Sequence, residues 1–361
     1  MKNRSLKINF ILPFKSLNGG VKVVLEYANH LTELGHSVTV TYPLIPYYFG
    51  EKKFNIKDRW WQLRGLAANL IRGNKINWFN LKAILKRVPR ISNRFLQDSD
   101  IVVATAWPTA YSVARLFERK GKKFYFIQHY EIWKGQRERI DESYRLPLKK
   151  IVIATWLKML MKKNFGDSNV PVIINAINLE TFYNENKVFN NPPRILLMYH
   201  DLEFKGFNDA IKAMDLVKRK NPNIKVVVFG TKKYHDLQSG IEYYLKPFGE
   251  TLRALYCSSD IFVSPSWSEG CQLPPMEAMA CKCAVVASNV GGIPDYVVPG
   301  ETALVFEPKD IQTMANHILY LLENPDELKR ISFAGYQHIK NFTWDKAVRK
   351  IEKIFREELA N

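Results

Sequence analysis

Two acids and two prolines crowd the stretch SEGCQLPPMEAMACKCAVVASNVGGIPD, residues 268–295. Proline is tolerated in the first turn of a helix, where its missing N–H would lack a partner anyway, so Pro274 and Pro275 predict a helix start. Glu277 then lies in the first turns of that helix and Glu269 in the loop before it. Between them run the amides of Gly270, Cys271, Gln272 and Leu273, and amides at a helix amino terminus form a site for an anion. Carboxylates on either side cannot bind the anion themselves. They can accept hydrogen bonds from hydroxyl groups attached to it, which describes a nucleotide diphosphate sugar with ribose at one end and hexose at the other. The same spacing fits an exposed loop acid and a first-turn acid that complements the helix dipole, and spacing alone leaves both readings open.

Such a pair needs elements to position it. In the first half, KINFILP leads through FKSLNGG to a helical pattern, and SVTVTYP, DIVVATA, KFYFIQ and KKIVIAT follow as strands with helical segments between them. In the second half RILLMY, IKVVVFG, DIFVSPS, CAVVAS and TALVFEP repeat the scheme. Alternation of this kind predicts parallel sheets covered on both faces. The fold class is therefore α/β, with two doubly wound, Rossmann-like domains facing across a cleft. The polar, proline-containing ENKVFNNPPR marks the connection, near residues 176–193. The expected limits are 1–178, 179–340 and a C-terminal helix, 341–361, that crosses back to the first domain. Open parallel sheets bind ligands at the carboxyl ends of their strands. Asn18, Gly19, Gly20 and His129 hold such places in the first domain, and His200, Lys205, Gly230, Thr231 and the Glu269–Glu277 loop in the second.

Composition narrows the class. Of 361 residues, 47% are hydrophobic and 24% charged, the balance of a folded globular chain. No apolar run reaches about 18 residues, so no spanning helix is expected. The basic start MKNRSLKINFILPFKS reads as a first strand and not as a leader. Cys257, Cys271, Cys281 and Cys283 lack the spaced pairs of a zinc site and read as core residues in a reducing, cytoplasmic protein. The triplet DSD at 98–100 precedes a strand, away from the ligand-binding ends, and no metal site is expected. No strand-linked G-x-G-x-x-G with an acid about 20 residues on is present, which disfavours a nicotinamide enzyme. The net charge of +18 attracts nucleic acid, anionic lipid or phosphorylated substrates. Much of it lies in residues 51–95, where twelve lysines and arginines against two acids interleave with Trp60, Trp61, Trp78 and Phe79. That composition fits an interfacial membrane contact and equally a solvated helical face over the sheet.

The stretch PSWSEGCQLPPMEAMACKCAVVASNVGGIPD closely resembles the signature of glycosyltransferase family 4, retaining enzymes of the GT-B fold that use nucleotide sugars. The early NGG, INAINLETFY, HDLEFKGFNDAIKAM, VVVFG, LYCSSDIFVSPS and the late FTWDKA have counterparts in the same order. The resemblance implies that Glu277 holds the ribose hydroxyls, Glu269 sits beside the reacting carbon, and Lys205 neutralises the departing diphosphate. It implies that His129 faces the donor sugar, that Gly19 and Gly20 form a close backbone turn near phosphate and acceptor where a side chain would collide, and that the base lies against the loop around Tyr244 to Phe248. Three positions depart from the pattern. His200 stands where an arginine is frequent, so either it is protonated or another basic residue contributes. Cys271 and Gln272 replace a frequent aromatic and glycine, and Asp295 replaces a glutamate. The implied activity is hexosyl transfer from a UDP, GDP or dTDP sugar to a glycan or lipid-linked acceptor of the cell envelope, without a cofactor. No nucleic-acid partner is expected, and 51–95 would rest on the inner face of the plasma membrane. A nucleotide-sugar epimerase or hydrolase of the same fold, or a non-enzymatic basic binding module, are the alternatives.

Overall fold

The computed structural model describes residues 4–49, 56–71, 74–132, 137–234 and 240–360. The chain divides into two compact units, Met1–Ile173 with Trp344–Asn361, and Ile174–Thr343.

In the first unit the elements are β1 Lys7–Ile11, α1 Gly19–Glu33, β2 Ser37–Pro43, α2 Ile56–Ile71, β3 Ile84–Val88, β4 Ile101–Ala104, α3 Trp107–Ala114, β5 Lys122–Ile127, α4 Arg137–Arg145, β6 Lys149–Val152 and α5 Thr155–Phe165. They form a parallel sheet of order β3-β2-β1-β4-β5-β6. All four residues of β4 are buried, as the centre of a sheet covered on both faces requires. Helix α1 shows how the covering layer forms. Asn18 caps it by accepting from the Gly20 amide at 2.9 Å, Val21, Val24, Leu25, Ala28 and Leu31 recur on its buried face, and Gly35 closes the turn after it at φ +88°.

The second unit holds β7 Arg194–Tyr199, α6 Phe207–Lys220, β8 Lys225–Gly230, β9 Ile241–Leu245, α7 Gly249–Cys257, β10 Ile261–Ser264, α8 Leu273–Ala280, β11 Ala284–Ser288, α9 Ile293–Tyr296, β12 Leu304–Phe306, α10 Ile311–Glu323 and α11 Pro325–Ile339. Its parallel sheet runs β12-β11-β10-β7-β8-β9. Counted within each unit, both sheets have the strand order 3-2-1-4-5-6 of the doubly wound fold, whose switch point lies between the first and fourth strands. The last helix, α12 Trp344–Ala360, belongs to the first unit. There Trp344 packs edge-on against Tyr27 at 5.1 Å and Phe355 against Phe124 at 4.9 Å, and each such buried aromatic contributes about 1.5–3 kcal/mol.

Two segments differ from the reading of the sequence. Residues 51–95 are not one surface insert: they supply α2 and also β3, the edge strand that pairs with β2. Tyr244 and Leu245 are not loop residues but the end of β9, paired with β8.

Candidate functional site

In the second unit the switch point lies between β7 and β10, and the loops that leave their carboxyl ends touch. After β7 the chain turns through a short 3-10 segment, Glu203–Lys205, into Gly206 at φ +68°. A Cβ on Gly206 would sit 2.1 Å from the Pro265 carbonyl oxygen, so only glycine lets the two loops approach this closely. The Trp267 amide seals the contact by donating to Phe204 O at 2.7 Å, and its indole N–H donates to Asp209 at 2.7 Å. Lys205 Nζ thereby reaches Glu269 Oε1 at 2.7 Å, and the Ser266 hydroxyl donates to the same oxygen at 2.8 Å. Both charged side chains are largely buried, 19% and 11% exposed. From the other side, Gly291 at φ +61° lies so close that a Cβ would meet Glu269 O at 2.7 Å, and one on Gly292 would meet Cys271 Sγ at 2.7 Å. The loops after β7, β10 and β11 thus hold one carboxylate and one ammonium in fixed register.

Helix α8 starts at Leu273 behind Gln272, which makes no side-chain capping bond. Pro274 and Pro275 have no N–H to offer, so the anion capacity of this terminus rests on Leu273 and the loop amides before it. Gln272 and Cys271 are buried under the loop: Gln272 Oε1 accepts from the Ser264 hydroxyl, its carbonyl from Tyr296 OH at 3.1 Å, and Cys271 O from Asn175 at 2.9 Å. Burial pushes the Cys271 thiol up to about 12, so it stays protonated. Glu277, 5% exposed, accepts a hydrogen bond from Tyr256 OH at 3.0 Å. Burial first, and then Glu277 itself, raises that phenol far above its ordinary value, so it remains a donor.

His200 sits beside this pair but does not supply a second cation. Burial first, and then Lys205, lower its pKa, leaving the imidazole neutral at pH 7, and Nδ1 accepts from the Leu202 amide at 3.1 Å. Burial and Lys205 therefore both work against the protonated form that would make up for the missing arginine. Lys232 instead pairs with Asp201. Gly230 ends β8 and Thr231 follows it. A Cβ on Gly230 would meet Tyr243 OH at 2.6 Å and Tyr199 O at 2.8 Å, so this glycine is a packing requirement, while Thr231 is exposed.

The remaining expected residues lie in the first unit. Asn18 is the cap of α1, and Gly19 and Gly20 form its first turn. Among the described residues a Cβ on Gly19 would meet nothing within 4 Å, and one on Gly20 would lie 3.3 Å from Asn18 Oδ1 and 3.4 Å from the Gln128 side-chain amide. His129 follows β5; its Nδ1 lies 3.0 Å from Tyr130 O and its ring meets the edge of Trp156 at 5.8 Å. Asp98 pairs with Lys120 at 2.7 Å, and Asp100 accepts from Arg4 at 2.6 Å and the Lys7 amide at 2.7 Å. Both acids of the DSD triplet tie the amino end of the sheet together.

Three polar residues were missed. Thr105 Oγ1 donates to Ile11 O at 2.8 Å, joining the ends of β4 and β1 at this unit's own switch point. Glu131 Oε2 accepts from the Trp107 amide at 3.1 Å, capping α3 from another loop. Tyr256 is the third. The signal for the first existed in the rule that ligand-facing residues follow the first and fourth strands; the other two contacts join residues 24 and 21 positions apart on separate elements.

Two similar sheets of 3-2-1-4-5-6 order, each with a helical cover, are the GT-B fold. Anabaena HepE in complex with UDP and glucose shares it, at a TM-score of 0.73 and 13% identity over 97% of this chain and 99% of that one. Residues 180–338 match the family model for glycosyl transferases group 1, the segment that carries Lys205, Glu269 and Glu277. The D-inositol 3-phosphate glycosyltransferase of Corynebacterium diphtheriae is 35% identical over 29% of this chain and 25% of its own length. An uncharacterized glycosyltransferase of Methanocaldococcus jannaschii is 26% identical over 95% of this chain and 96% of its own. The chain spans between 25% and 59% of the length of the first curated relatives that it matches. Among the described residues no helix is long and apolar enough to cross a membrane.

Proposed function

We propose that this chain is a retaining glycosyltransferase of the family 4 type, which moves a hexosyl group from a nucleotide diphosphate donor to a glycan or lipid-linked acceptor. The observation that carries the reading is the Lys205–Glu269 pair at the β7/β10 switch point, 2.7 Å apart and ahead of an uncapped helix terminus. An ammonium held there neutralises charge on a departing diphosphate, and Leu273 and the loop amides complete its coordination. Preorganised donors of this kind are worth about 3–4 kcal/mol each toward a developing negative charge. Glu269 lies beside the cation and so beside the anomeric carbon attached to the leaving oxygen. Glu277 keeps one oxygen on Tyr256 and offers its charge to ribose hydroxyls. In this scheme the sugar–phosphate bond breaks toward an oxocarbenium-like state, the acceptor hydroxyl enters from the same face, and a diphosphate oxygen takes its proton. His129 serves the donor sugar, and Asn18, Gly19 and Gly20 serve the acceptor.

Uridine, guanosine and thymidine diphosphate sugars all fit this chemistry, and the likeness to HepE, whose structure holds UDP and glucose, favours uridine as the first to try. Helix α2 supports an acceptor at a membrane. Trp60, Leu63, Leu70 and Ile71 are exposed along it, in a region of twelve basic residues, and near an anionic bilayer each cation adds about 1 kcal/mol. On this reading the protein works at the cytoplasmic face of the envelope, building polysaccharide or glycolipid.

The test is calorimetry with UDP, GDP and dTDP followed by product analysis of the matching donors with and without acceptor. Acceptor-dependent transfer with the anomeric configuration kept is expected. Epimerised or hydrolysed donor regardless of acceptor, or no nucleotide binding at all, would overturn the reading. Co-sedimentation with phosphatidylglycerol vesicles, lost at high salt, checks the membrane part.

A further inference from the structure

We propose that Cys257 and Cys281 form a redox-active dithiol, closed to a disulfide by exchange with a small-molecule disulfide such as glutathione disulfide. Cys257 is the last residue of α7 and Cys281 the C-cap of α8. Residues 183 and 184 tie both to one place. The Cys257 thiol donates to Tyr183 O at 3.2 Å and the Cys281 thiol faces the same oxygen at 4.0 Å. Asn184 Nδ2 lies 3.3 Å from both the Cys257 and the Cys281 carbonyl oxygens. One carbonyl and one amide therefore set the two backbones side by side, with both sulfurs facing the same Tyr183 oxygen.

The pair is asymmetric in the way that exchange requires. Cys257 is half-buried, whereas Cys281 is buried. Its neighbour Cys281 draws the Cys257 thiol below its ordinary value against the cost of burial, with Arg253 and Lys187 adding their charge, while Cys257 and burial push Cys281 up. Arg253 Nη1 lies 3.3 Å from Tyr183 O, and Lys187 Nζ 3.4 Å from Cys257 O. The accessible sulfur is thus the nucleophile and the buried one resolves. Cys283 is excluded from the pair: its thiol is spent on Tyr256 O at 3.0 Å and Ser259 O at 3.3 Å, and burial pushes it up to about 12.

The Cys257 thiolate attacks one sulfur of glutathione disulfide, the S–S bond breaks, and one glutathione leaves as a thiolate that takes a proton from water. Cys281 then gives up its proton and attacks Cys257 Sγ, and the second glutathione leaves and collects that proton. Two protein thiols are oxidised by two electrons, and one glutathione disulfide is reduced to two glutathiones. The bridge fastens the end of α7, next to Tyr256, to the end of α8, one turn past Glu277, and so clamps the Tyr256–Glu277 bond between two tied helices.

The full chain is incubated with glutathione disulfide, its remaining thiols are alkylated, and intact mass and disulfide-linked peptides are read. Loss of two alkylatable thiols, no retained glutathione, and a Cys257–Cys281 peptide reversed by dithiothreitol are expected. Cys281→Ser keeps one glutathione on Cys257, and Cys257→Ser takes up none. A stable glutathione adduct on the unaltered chain, four thiols still alkylated, or a bridge through Cys271 or Cys283 would each overturn the proposal. The peptide map of the unaltered chain decides the matter even if a serine variant fails to fold.

Discussion

In Ile174–Thr343 the loops after the first and fourth strands bring a lysine and a glutamate to 2.7 Å; in the other unit the corresponding loops bring the Thr105 hydroxyl to the Ile11 carbonyl at 2.8 Å. The strand order is the same, so topology accounts for where the loops converge and not for what they do there. In the second unit three glycine-dependent contacts, at Gly206, Gly291 and Gly292, press charged groups into partial burial. In the first, Asn18 and Glu131 are spent on capping α1 and α3. One switch point pairs an ammonium with a carboxylate, and the other joins a hydroxyl to a carbonyl. Under the proposed function, that is the division expected of a site for a charged donor and a site for a hydroxyl-bearing acceptor.

Buried ion pairs give the sharpest way to break the contrast. Lys187 and Asp260 are 1% and 0% exposed and 3.4 Å apart, and Lys187 also donates to Ser259 O. Lys187→Met takes the counter-charge from a buried carboxylate that keeps its bonds from Asn190 and the Arg194 amide, and the second unit is expected to lose about 3–5 kcal/mol in denaturant unfolding. The comparable pair of the first unit, Lys120 with Asp98, is open to water on the acid's side at 57% exposed. Lys120→Met leaves a solvated carboxylate and a far smaller loss. Equal losses in both units would show that the charge asymmetry has no energetic content.

Next in size is Lys205→Ala, which removes the cation paired with Glu269. Turnover is expected to fall by about a hundredfold or more, the rate equivalent of about 3 kcal/mol, with the unfolding midpoint little changed; near-normal turnover would take Lys205 out of the chemistry. A smaller effect belongs to Glu277→Gln. It keeps the shape but weakens charge-assisted bonds to ribose, and calorimetry should show nucleotide affinity lower by about 1.5–3 kcal/mol.

How much of this was legible in the sequence differs along the same line. Central strands such as IVVA and AVVAS are buried on both faces and announce themselves by composition. The edge strands ILKRV and IEYYL do not, because polar, half-exposed residues break their apolar pattern, so β3 passed for a basic surface and β9 for a loop. Lys205 and Glu269 could be named because each follows a strand, but their contact depends on Gly206 at φ +68° fitting under Pro265. Tyr256 escaped because nothing in a linear pattern says that α7 lies along α8. His200 could be located but not given a protonation state, which is set by its burial and by Lys205.

The smallest expected effect tests the quiet side of the comparison. Burial raises the Glu131 carboxyl from 4.5 to about 7, although the Trp107 amide pulls the other way. A carboxyl whose folded pKa exceeds its unfolded one binds more protons when folded, so its contribution to stability is fully present below about 4.5. It declines as pH rises from there to about 7 and is flat above. Glu131→Gln keeps an acceptor for the Trp107 amide and removes the titration. Thermal unfolding of the variant should therefore lose part of the slope between those pH values while the nucleotide affinity of the second unit stays unchanged. An unaltered slope would mean that Glu131 ionises as an ordinary surface acid, and that the first unit's switch point is more open to water than its packing against Trp107 implies.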